Sequence, residues 1–83
     1  MARKNYHTAS TFDVVPRACV IESIFIAGGT MGQIDLYDAV NDATGTAFLT
    51  IAAPFPGMTV PRFDVKEGLT LKTAQATEIQ VAW

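Results

Sequence analysis

The sequence predicts an all-β chain, on the strength of two-residue apolar alternation, closely spaced turn signals and the lack of helical three-four spacing after Phe12. The expected architecture is a single antiparallel β-sandwich, jelly-roll-like, with six to eight short strands over residues 12–83. An extended N-terminal arm, residues 1–11, precedes it. Pro16, Pro54, Pro56 and Pro61 cut the chain into short pieces. The turn-forming stretches GGTMG, NDATG, PFPG, KEG and AQAT recur at the roughly 8–12-residue spacing of small sandwiches.

Taken in order, Met1 to Thr11 is polar and scarcely alternates, so it reads as an arm that orders only where it docks. The sandwich is expected to fold without its first eight residues. Between Cys19 and Ile26, Cys19, Ile21 and Phe25 fall on one face and Val20, Ile24 and Ile26 on the other. Such a strand needs cover on both sides, from the arm or from a neighbouring subunit. Next comes FIAGGTMGQIDLYD, whose Gly28, Gly29 and Gly32 are misspaced for a dinucleotide-binding loop and lead into a strand rather than a helix. The stretch therefore reads as a hairpin loop joining Ile21–Ile26 to Gln33–Tyr37.

Gln33–Tyr37 alternates cleanly, with Ile34 and Leu36 on its apolar face. Ala47–Ile51 repeats the pattern with Leu49 and Ile51, as do Leu69–Lys72 with Leu69 and Leu71, and Glu78–Trp83 with Ile79 and Val81. These eight side chains are expected to share one core.

Composition narrows the function classes. With 83 residues and Cys19 as the lone cysteine, a single small domain has no internal disulfide, which leaves association as its added source of stability. A net charge of −2 with 17% charged residues supplies no basic stripe for nucleic acid. No secretory leader follows Arg3 and Lys4, and Ala18–Ala27 is far short of the roughly 18 apolar residues of a membrane span. Neither a nucleic acid nor a membrane is an expected partner.

No chemistry-bearing constellation stands out. His7 is the sole histidine and has no second ligand at metal spacing. Asp35, Asp38, Asn41 and Asp42 do not match a calcium loop and read as Asx-turn residues. Neither Cys19 with His7 nor Ser10 with His7 and Asp13 sits in a nucleophile context, and the eight carboxylates form no distinctive pair. The chain is therefore expected to be no enzyme, with no catalytic, cofactor or metal site. Trp83, Tyr37, Phe48, Phe55 and Phe63 could form a platform for a sugar or a base but fit packing better. Pro54–Gly57 makes a stiff loop with an apolar tip. Arg3, Lys4, Tyr6, Phe55 and Pro56 are thus the candidate protein-interface residues.

The stretches IAGGTMGQIDLYDA, GTAFLTIAAP and FDVKEGLTLKTAQATEIQVAW resemble the small β-sandwich virion proteins of tailed bacteriophages, a likeness that covers Cys19 to Trp83. The resemblance implies a head decoration or cement protein, assembled in the host cytoplasm and bound outside the capsid, whose partners are the major capsid protein and further copies of itself. The alternative it implies is a tail-associated module that binds host surface or carbohydrate.

Overall fold

A computed structural model describes residues 2–83, and no helix occurs among them. Ten strands follow in order: β1 Arg3–His7, β2 Thr11–Val15, β3 Cys19–Ile21, β4 Ser23–Gly29, β5 Ile34–Tyr37, β6 Leu49–Ile51, β7 Thr59–Val60, β8 Phe63–Val65, β9 Leu69–Thr73 and β10 Thr77–Ala82. They build two four-stranded antiparallel sheets, ordered β1-β10-β4-β7 and β2-β9-β5-β6, and a small β3-β8 sheet. With β3 and β8 set aside, the other eight strands, renumbered in chain order, run 1-8-3-6 and 2-7-4-5. That is the strand order of a jelly roll.

The pairing has a simpler description. β1 pairs with β10, β2 with β9, β3 with β8, β4 with β7 and β5 with β6, all antiparallel. The chain is one long two-stranded ribbon, nested about a tip between β5 and β6. Partners stay nearly equidistant from that tip: residue 3 faces 82, 12 faces 71, 20 faces 64, 24 faces 60 and 36 faces 49, so each pair adds up to 83, 84 or 85. The ribbon folds into two layers when β10 pairs with β4 and β9 with β5. At its open end the amide of Ala2 donates to the carbonyl of Trp83 at 2.6 Å, and that of Trp83 donates back at 2.9 Å.

The core follows the alternation. Ile34, Leu36, Leu69, Leu71, Ile79 and Val81 are fully buried and Ile51 nearly so, whereas Leu49, on the sheet-edge strand β6, is 37% exposed. Cys19 to Ile26 proves to be two strands rather than one apolar on both sides. Ile21 of β3 and Ile24 and Ile26 of β4 are all fully buried, so the inward phase switches from odd to even residues at Glu22–Ser23. A one-residue slip turns every later side chain over. No second face requires cover, and Phe25 is left on the outside.

The expected arm is part of the sandwich. Arg3–His7 forms β1, in register with Ala82 to Glu78, and β2 begins at Thr11, so no break separates residues 2–11 from the rest of the domain. Met1, which that expectation included, lies outside the described residues. An edge strand is held by backbone hydrogen bonds on one side only and needs little side-chain burial, so β1 lacks the alternation that marks a central strand. Its inner face nonetheless carries Tyr6, stacked on Phe12 of β2 with ring centroids 4.1 Å apart.

The glycine-rich stretch is likewise not a hairpin. β4 continues through Gly29 and lies in the first sheet, while β5 lies in the second, so residues 30–33 cross between layers. Gly29 has φ of 78°, and a Cβ there would sit 2.5 Å from the carbonyl oxygen of Ala76. Glycine is required at that position by both conformation and space.

Leu71, fully buried in β9 between β2 and β5, tests the register. Leu71→Ala is expected to lower unfolding free energy by about 2–5 kcal/mol, measured by denaturant titration.

Candidate functional site

The five candidate contact residues do not form one patch. Arg3 and Lys4 lie on β1 at one border of the first sheet, while Phe55 and Pro56 lie in the loop before β7, which forms the opposite border. β10 and β4 separate the two groups. Phe55 is 57% exposed. Tyr6 is half-buried, with the Lys4 Nζ 5.5 Å from its ring centre. Its hydroxyl is enclosed and has no hydrogen-bond partner. Burial first, and the Asp13 carboxylate second, raise the pKa of this phenol above its ordinary value. Tyr6 therefore serves packing at the sandwich border more than it offers a polar contact.

The acidic cluster at the ribbon tip holds chain to chain. The Asp38 carboxylate accepts hydrogen bonds from the amides of Lys66 at 2.9 Å, Glu67 at 2.9 Å and Gly68 at 3.4 Å, tying the end of β5 to the β8–β9 turn. Asp42 accepts from both the amide and the hydroxyl of Thr44, an Asx turn that lowers its pKa, while Asn41 takes a left-handed φ of 50°. Fully buried Thr70 donates its hydroxyl to the carbonyl of Ala39 and accepts from the amide of Asp42. Among the described residues, no three His, Cys, Asp or Glu side chains gather as metal ligands would. His7 and Cys19 lie in different sheets.

Two of the concavities among the described residues bear on function. The smaller, about 190 Å³, lies on the outer face of the first sheet and is lined by Arg3, Ser23, Phe25, Gln80, Val81 and Ala82. It has an aromatic ring beside polar groups, yet falls short of the roughly 300–1,000 Å³ of ordinary ligand pockets. The larger, about 370 Å³, runs between the borders of the two sheets and is lined by Leu49–Ala53 of β6 and the following loop and by Met58–Pro61 around β7. No titratable side chain lines it, so it can bury apolar surface but cannot move a proton.

This groove lies within an uncharged stretch of nineteen residues, Ala43 to Pro61, which also holds three of the five exposed large hydrophobic side chains among the described residues: Phe48, Leu49 and Phe55. Phe48 leans on Phe63 of β8 with ring centres 5.6 Å apart. Reading Leu49 only as a core residue missed the groove. The uncharged run is the signal in the sequence that marks it.

Comparison with protein-family models, with curated proteins and with solved structures gives no match to this chain.

Two predictions test the side chains with defined polar environments. Burial pushes the Asp38 carboxyl up, but the amides of Lys66, Glu67 and Gly68 and the charge of Lys66 outweigh it, so the net pKa lies below the ordinary 3.8. A depressed folded-state pKa stabilises above the ordinary value and is lost as pH falls through the folded one. Thermal melts of the wild type should therefore fall off below about pH 4, and Asp38→Asn should melt lower at neutral pH with a flatter acid limb. Tyr6→Phe should leave the melting temperature unchanged or higher, because removing an enclosed hydroxyl without a partner sacrifices no hydrogen bond.

Proposed function

We propose that the protein is a non-enzymatic virion component that binds the outside of a phage capsid and stabilises the shell, with the major capsid protein as its partner. The observation that carries this reading is the separation of its contact-prone surfaces. A charged border with Arg3 and Lys4 and an apolar loop with Phe55 and Pro56 lie on opposite sides of one rigid sandwich, an arrangement suited to bridging neighbours in a lattice. Many modest contacts on a repeating surface add through multivalency, and a molecule that binds only the assembled shell stabilises it by linkage. The resemblance to phage virion sandwiches supports the same reading. Jelly rolls recur in viral shells and lectins alike, so fold alone does not choose between a shell protein and a sugar binder.

The second reading, a tail-associated host- or carbohydrate-binding module, draws support from Phe25 beside Arg3, Ser23 and Gln80. Its small volume counts against it. Titrating simple sugars against the labelled protein and following the Phe25 ring by NMR would favour this alternative if saturable shifts appear.

Purified virions of the phage that encodes the chain should contain it in many copies, located by mass spectrometry and by density on the outer capsid surface. Arg3→Glu with Lys4→Glu, and separately Phe55→Ala, should each reduce rebinding to particles stripped of this component without lowering the melting temperature. Absence from particles overturns the reading.

A further inference from the structure

Four strands border the two large sheets, and three of them carry a charge or run into a proline that discourages pairing with another chain, whereas the three-residue β6 relies on its shortness alone. β1 has Arg3, Lys4 and His7, β2 has Asp13, and β7 runs straight into Pro61. β6 has none. The segment Ala47–Ala53 itself holds neither charge nor proline, the nearest carboxylate being that of Asp35 on the paired strand β5, and the outer side of β6 has no strand partner among the described residues. The groove floor of Leu49 and Ile51 opens beside it. An unprotected edge next to exposed apolar surface is a template for strand addition.

We propose that β6 pairs with β6 of a second copy of this chain, antiparallel about a twofold axis through Thr50. The occupant follows from the strand's own pattern. A twofold contact must be self-complementary, and about Thr50 the segment is so: threonine faces threonine, and Leu49 of each copy faces Ile51 of the other. The Thr50 side chain lies on the outer face with its register partner Asp35, to which its hydroxyl donates at 3.0 Å, and Leu49 and Ile51 lie on the inner face with Leu36 and Ile34. Pairing therefore joins two four-stranded sheets into one of eight and sets the two apolar grooves side by side. No residue of the facing strands is charged, and the Asp35 carboxylate of each copy is held one strand back from the seam by its hydrogen bond from Thr50. This pairing does not rest on the capsid-binding reading and is tested without particles.

The experiment is sedimentation equilibrium of the full chain across a concentration series, with hydrogen exchange on the same samples. The wild type should approach twice its 8.9 kDa mass, and the amides of Leu49–Ile51 should gain protection as concentration rises. Thr50→Glu places two carboxylates opposite each other, next to Asp35, and should return the mass to 8.9 kDa. An equimolar mixture of Thr50→Glu and Thr50→Lys should restore the doubled mass, since the two side chains then face each other with opposite charge. Thr11→Lys, on the far border of the same sheet, should leave the wild-type mass unchanged. A wild type that stays monomeric, an assembly that grows without limit, or a dimer that survives Thr50→Glu overturns the proposal. Should Thr50→Glu fail to fold, exchange in the wild type decides: β6 amides whose protection does not change with concentration overturn it.

Discussion

The near-constant register of the long ribbon is the constraint on which the rest depends. Because each residue faces one almost equally far from the tip, the alternation of each strand and that of its partner point to the same side together. A slip anywhere would turn apolar side chains outward from there to the open end. The chain meets this constraint with few irregularities, near Asp13–Val15 in the β2–β9 pairing and at the phase switch between β3 and β4, whereas β1 and β10 keep one register throughout. Asp38 anchors the tip to the β8–β9 turn with backbone amides as its partners, beside the buried Tyr37 and Leu69 where β5 and β9 pair.

Much of the sandwich was legible in the sequence. The core strands β5, β9 and β10 each lie between two neighbours in their own sheet and turn one face to the opposite layer, so alternation marks them directly. What was not legible depended on tertiary pairing. β1 has no pattern because it is an edge, and the apparent two-faced strand was two strands out of phase, a distinction visible only once Glu22 is seen to end one pairing and begin another. The glycine loop carried a true turn signal at Gly29, but local chemistry does not say whether a turn returns within a sheet or crosses to the other layer.

The surface was less legible than the core, since contact-prone residue types gave no indication of where they would lie relative to one another. Folding sends Arg3 and Lys4 to one border and Phe55 and Pro56 to the other, while Leu49, assigned to the core by its alternation, opens onto a groove because its strand has no outer neighbour. The sandwich thus has chemically unlike sides, one charged and one neutral. That asymmetry separates contacts that depend on ionic strength from those that depend on apolar burial.

The reciprocal hydrogen bonds between Ala2 and Trp83 place the two ends of the chain side by side. A short covalent link there, with the backbone reopened at exposed Gly45 in the ribbon tip, would leave the fold intact and turn its connectivity inside out. In the natural order β5 and β6 close the smallest loop and β1 and β10 the largest; in the permuted order β10 and β1 become the tight pair. Loop-closure entropy would then favour zipping from the opposite end, so one structure could be reached along two reversed folding routes.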